Sequence, residues 1–179
     1  MASLDTLRTH LRGVTAFPIT PFHANLDLNL DGLRHNVDWM IRHGIVTLVA
    51  AGGTGELYSL TTEETEAVHR TVIEAAAGRA AVICGVGGKQ RESQQLAATA
   101  EKAGASGILM LPPAYGPSPE DGLLAFYAGI AQSVHIGVLP YARDWAVFSP
   151  EMVEKYWKIL KGEHGQIQDG KRHILKSLL

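Results

Sequence analysis

Short apolar runs rich in β-branched residues alternate along this chain with longer segments in which apolar positions recur every three or four residues. The first pattern is that of buried strands and the second that of amphipathic helices. Gly13 to Thr20 reads as a first strand, closed by Pro18 and Pro21, which cannot donate to a sheet ladder. Leu30, Leu33, Val37, Met40 and Ile41 then recur at helical spacing, and Gly44 ends that helix. Ile45 to Ala51 is a second strand, with the continuous apolar content of one buried on both faces. Thr61 stands three residues before Glu64, the spacing of a capping box, so the next helix starts there and runs to Gly78. Ala80 to Cys84 is a third strand, Glu92 to Ala103 an alanine-rich helix, and Ser106 to Leu111 a fourth strand. Ser118-Pro119-Glu120 and Ser149-Pro150-Glu151 each carry a helix start, a capping serine followed by proline at the first helical position. Val134 to Leu139 is the fifth strand, and Met152, Val153, Tyr156, Trp157 and Leu160 form the apolar side of the last helix.

Five strand-helix units in strict alternation predict an α/β protein with parallel strands and covering helices. An open doubly wound sheet and a (β/α)8 barrel both have that form, and five units do not close an eight-stranded barrel. Residues 1–12 read as an N-terminal extension, 13–160 as the body, and 161–179 as a divergent tail with room for a remnant of a sixth strand.

Composition narrows the partners more than the fold. The 179 residues are 46% hydrophobic and 19% charged, with a net charge of −2, so there is no electrostatic footprint for nucleic acid or an anionic membrane. No apolar run approaches the ~20 residues of a membrane span. Cys84 is the one cysteine, so no internal disulfide forms and a reducing, cytoplasmic setting is expected. Inside a predicted strand its thiol serves as a small hydrophobe. The eight histidines are scattered without a ligand spacing, and neither a metal nor another cofactor is expected.

The chemistry gathers where strands end. Gly52, Gly53 and Gly55 follow the second strand, and these glycines are expected to free the turn for positive φ and close ligand approach. Thr54 adds a hydroxyl and an N–H able to grip a carboxylate. With no lysine after the glycines and no Gly-x-Gly-x-x-Gly spacing, the turn is neither a phosphate loop nor a dinucleotide site. Phe17-Pro18 follows the first strand, Tyr115 the fourth, and Tyr141 with Arg143-Asp144 the fifth. In a parallel barrel such positions converge on one pocket. There Arg143 is able to bind a second carboxylate bidentately, and Tyr141 to relay a proton. Taken one at a time, a strand-end tyrosine serves equally well as an amphipathic plug, and an Arg-Asp pair as a solvated loop.

Phe17-Pro18-Ile19-Thr20-Pro21-Phe22, Ala50 to Glu56, Leu111-Pro112-Pro113 through Gly122-Leu123, and Tyr141-Ala142-Arg143-Asp144 resemble the dihydrodipicolinate synthase and N-acetylneuraminate lyase superfamily of (β/α)8 barrels. The likeness runs from about Gly13 to Leu160. The Gly52-Gly53-Thr54 doublet, Ser59-Leu60-Thr61 and the Tyr-x-Arg-Asp segment are most similar to the 5-dehydro-4-deoxyglucarate dehydratase branch. The resemblance implies an incomplete barrel of five to six units. It also implies a Schiff-base lyase that dehydrates and decarboxylates a six-carbon keto-diacid to 2,5-dioxopentanoate, a lysine on the sixth strand condensing with the substrate ketone. Gly53-Thr54 would hold the carboxylate beside that ketone, with Pro18 lining the pocket, Tyr141 shuttling protons and Arg143 contacting the far carboxylate. No cofactor is implied, and a homo-oligomer is expected.

The departures are as informative as the matches. Where the family carries its lysine, Ile167-Gln168-Asp169-Gly170 places Gln168, and an amide forms no iminium. Lys171 and Lys176 are displaced by three residues or more. Ala114-Tyr115 is closer to the synthase pattern, which keeps a pyruvate-dependent aldolase or synthase open, as does a non-catalytic descendant that binds keto-acids or pairs with other subunits. An incomplete barrel exposes strand edges, so the chain is expected to be unstable as a monomer and to associate.

Overall fold

In a computed structural model, residues 4–113, 118–143 and 146–161 of the chain are described. The apolar runs form five strands: β1 (Thr15–Ala16), β2 (Thr47–Ala50), β3 (Ala81–Val86), β4 (Gly107–Met110) and β5 (Gly137–Pro140). Every pairing is parallel and the spatial order is β1-β2-β3-β4-β5, so each strand neighbours its successor. Sequential order without reversal is how a barrel is built, and it removes the doubly wound alternative. The helices are α1 (Leu4–His10), α2 (Leu30–Arg42), α3 (Thr62–Ala76), α4 (Gln90–Ala103), α5 (Glu120–Ala131) and α6 (Pro150–Lys161). They return the chain between strands, giving part of a (β/α)8 barrel.

All residues of β2, β3 and β4 are buried, as a parallel sheet covered on both faces requires. β4 and the residue after it divide their side chains by the two-residue strand period: Leu109 and Leu111 join the cluster of β2 and β3, while Ile108 and Met110 pack with α4, α5 and α6. Each fully buried Leu, Ile or Val contributes about 1.5–3 kcal/mol.

The capping box forms as expected: Glu64 N–H donates to Thr61 Oγ1 at 3.2 Å, and Thr61 N–H to Glu64 Oε2 at 2.8 Å. At α6, Met152 N–H donates to Ser149 Oγ at 3.0 Å. The matching signal at α5 fails, because Pro119 occupies the capping position with no side-chain cap and the helix opens at Glu120.

Other expectations are corrected in extent. β1 is two residues rather than eight, since Pro18 and Pro21 lack the N–H a longer ladder needs. β3 continues past Cys84 through Gly85 to Val86. The N-terminal segment, read only as an extension, contains α1. Its Leu7 is buried, with Cδ2 3.4 Å from where a Cβ on Gly107 would stand, so α1 lies at the start of β4.

Candidate active site

The glycine turn after β2 is shaped by space rather than by the dihedral freedom expected of it. Positive φ falls on Ala51 (48°) and Glu56 (61°), not on Gly52, Gly53 or Gly55. A Cβ on Gly52 would stand 2.9 Å from Phe17 Cδ1, and one on Gly55 3.0 Å from Ala51 Cα. Gly85 in β3 is tighter, because its Cβ would fall 2.0 Å from the Ala51 carbonyl oxygen. Glycine here lets two strand ends and the β1 loop approach closely.

The turn is closed by Glu56 N–H donating to Gly53 O at 3.1 Å and Leu57 N–H to Gly52 O at 3.3 Å. Buried Thr20, in the loop after β1, donates its hydroxyl to Gly55 O at 2.7 Å. Pro18 is buried in the same loop, beside the exposed Phe17. Gly53 and Thr54 remain exposed at the mouth.

The loop after β5 is stitched from three sides. Tyr141 N–H donates to Met110 O at 3.0 Å, continuing the β4 ladder, and the Tyr127 hydroxyl of α5 donates to Tyr141 O at 3.2 Å. Arg143 bridges Ala146, whose N–H donates back to Arg143 O at 2.8 Å. Phe148 meets the Tyr127 ring edge-on at 5.3 Å. This anchoring directs Arg143 toward the glycine turn, its Nη1 lying 3.9 Å from a Cβ built on Gly53. The cation therefore overhangs the exposed face of Gly53. A side chain at 53 would fill the intervening space.

Tyr58 lies just beyond the glycine turn, in the short 3-10 turn Leu57–Ser59. Its hydroxyl donates to Pro112 O at 2.7 Å, joining the turn after β2 to the one after β4. Burial raises the pKa of this phenol and the nearby Arg143 charge opposes that rise. Burial, and then Tyr58, raises that of Tyr127.

Of the residues singled out from sequence, Gly53 and Arg143 lie side by side, Thr54 is next in the turn, and Pro18 and Tyr141 stand at the ends of β1 and β5. Tyr115 and Gln168 lie outside the described residues. Sequence reasoning missed Thr20, Tyr58 and Tyr127, which act over 35, 54 and 14 residues and leave no local signal. Cys84 is fully buried, which pushes its thiol pKa up and makes it a packing residue. Among the described residues, no three of His, Cys, Asp and Glu converge as a metal-ligand set, and no helix is long and apolar enough to cross a membrane.

Parallel strands in sequential order, with glycine, tyrosine and arginine at their C-terminal ends, make the described residues part of a (β/α)8 barrel. The chain belongs to the dihydrodipicolinate synthetase family, whose pattern it matches over residues 10–161. It is 39% identical over 143 residues to a probable 5-dehydro-4-deoxyglucarate dehydratase of Bradyrhizobium sp. strain BTAi1, an alignment covering 80% of this chain and 46% of that one. Dihydrodipicolinate synthase from Aquifex aeolicus superimposes with a TM-score of 0.77 at 30% identity, over 82% of this chain and 51% of that one. The Bacillus clausii synthase gives 0.77 at 27% identity, over 82% and 50%. The chain spans about half the length of the curated relatives it matches.

Proposed function

We propose that the chain is a member of the dehydratase branch that binds a six-carbon keto-diacid, with the Schiff-base step impaired. The observation that carries this reading is the Arg143 guanidinium 3.9 Å from the Cβ position of Gly53. A cation over an exposed glycine turn receives a dianionic ligand at two places: the turn takes one carboxylate through its N–H groups and Thr54, and Arg143 takes the other as a bidentate, charge-assisted pair. The likeness to dehydratases supports the substrate class.

The reaction assigned to the branch removes water and carbon dioxide from 5-dehydro-4-deoxy-D-glucarate and leaves 2,5-dioxopentanoate. In it a lysine amine condenses with the ketone, releasing water, and the iminium accepts the electron pair of the broken bond. Tyr141 is the proton carrier in this reading. Gln168 stands at the lysine position, so bound keto-diacid goes no further on this chain. Tyr115, which follows the synthase pattern, favours pyruvate as the second substrate to test.

Calorimetric titration with 5-dehydro-4-deoxy-D-glucarate, followed by borohydride treatment and intact-mass measurement, tests both parts. Saturable binding with no mass increase is expected. Absence of binding refutes the site, and an adduct mapping to Lys171 or Lys176 refutes the impairment.

A further inference from the structure

Thr20, 6% exposed in the loop after β1, donates its hydroxyl to Gly55 O at 2.7 Å, across 35 residues. The bond fixes one peptide plane of the glycine turn, and that plane sets the next. The peptides here are trans, so each carbonyl points away from the N–H that shares its plane. With Gly55 O held by Thr20, Glu56 N–H is turned the other way, to Gly53 O at 3.1 Å. Gly53 O is thereby drawn into the turn, and the Thr54 N–H of the same plane is directed out of it. Leu57 N–H does the same to Gly52 O at 3.3 Å, which directs Gly53 N–H outward. Gly53 and Thr54 are exposed, and neither N–H has an acceptor among the described residues. Two successive outward N–H groups make a donor pair for an anion.

Resting on the keto-diacid reading above, which seats one carboxylate in this turn, we infer that Thr20 is a positioning residue. Its hydroxyl sets the carboxylate affinity of the turn by holding the peptide planes that present the Gly53 and Thr54 N–H groups. Two features of the turn call for such a clamp. Glu56 has φ 61°, left-handed backbone that an L-residue keeps only where its surroundings hold it, and Gly55 O belongs to the peptide that leads into it. Phe17, three residues before Thr20, has its Cδ1 2.9 Å from where a Cβ on Gly52 would lie, so the β1 loop grips the turn at both ends. Donors fixed before the ligand arrives spare it the cost of ordering them. Without the hydroxyl, Gly55 O loses that partner in a buried position, and its peptide turns toward water, carrying Glu56 N–H away from Gly53 O.

Thr20→Val keeps the shape and deletes the hydroxyl, whereas Thr20→Ser keeps the hydroxyl. Calorimetric titration of the full chain with pyruvate and, separately, with 5-dehydro-4-deoxy-D-glucarate reads both affinity and stoichiometry. The expected result for Thr20→Val is about tenfold weaker binding of both ligands at unchanged stoichiometry, because both place a carboxylate in the same turn. Thr20→Ser should stay within about twofold of the natural chain. A threonine that only stabilises the fold would lower the number of competent sites and leave the affinity alone; that outcome overturns the inference, as does a Thr20→Ser chain weakened as much as Thr20→Val. Nitrogen-proton correlation spectra of the natural chain test the same point even if Thr20→Val does not fold. Saturating pyruvate should shift the Gly53 and Thr54 amide signals. Ligand binding without those shifts overturns the role of Thr20 while binding itself stands. Failure of the natural chain to bind either ligand overturns the keto-diacid reading and the role of Thr20 with it.

Discussion

His69 makes the stability of this fold depend on pH. It lies on α3 at 1% exposure, and neither ring nitrogen has a hydrogen-bond partner among the described residues. Burial holds its pKa down from the ordinary 6.5 to about 4, only partly offset by the nearby backbone of Gly85. A lowered histidine pKa means that the unfolded chain binds a proton which the folded chain refuses, so stability falls as pH drops from 6.5 toward 4 and is fully present above that window. With those two values, linkage predicts a loss of about 2 kcal/mol at pH 5 and about 3 kcal/mol at pH 4. Other groups titrate in the same range, so the informative quantity is the difference between the natural chain and His69→Leu. Leucine has similar volume, carries no charge and leaves no buried polar atom unsatisfied, so near-neutral or slightly raised stability is expected at pH 7.5. Urea unfolding followed by circular dichroism at pH 7.5, 6, 5 and 4 should show His69→Leu gaining steadily over the natural chain as pH falls. Parallel pH profiles for the two proteins would refute the reasoning.

Two further outcomes follow from the same geometry. Gly85→Ala would put a methyl group 2.0 Å from the Ala51 carbonyl oxygen, a backbone atom that cannot swing aside; the expected cost is about 3 kcal/mol or more, and an unchanged urea midpoint would count against it. β1 and β5 each have one sheet neighbour among the described residues, and Val14 and Ile19 beside β1 are 71% and 56% exposed. Sedimentation velocity should show species larger than 19.3 kDa whose share rises with concentration, whereas one monomeric species at every concentration would refute association through these edges.

Comparison of particular elements shows how far sequence reasoning reaches. The alternation of short apolar runs with amphipathic segments determined five parallel strands, because burial on both faces forces continuous apolar strands and crossover helices force parallel pairing, while their sequential spatial order was decided by the tertiary structure. Thr61 and Glu64 determined the start of α3, since a capping box is closed within one helical turn. The same local logic misread Ser118-Pro119, where Pro119 takes the capping position and no side-chain cap forms.

The site divides along the same line. The positions at the ends of strands were legible because barrel topology sends successive strand ends to one rim, where Gly53 and Arg143 do come close together. Tertiary structure alone decided why Gly85 is glycine, since the reason is the carbonyl of Ala51, more than thirty residues earlier. It also decided that positive φ belongs to Ala51 and Glu56 rather than to the glycines beside them. Tyr58 to Pro112, Thr20 to Gly55 and Arg143 over Gly53 join residues that no periodicity links. Local sequence sets hydrogen-bonding and burial preferences within a turn or a strand; which distant atoms come within three or four ångströms is set by how those elements pack.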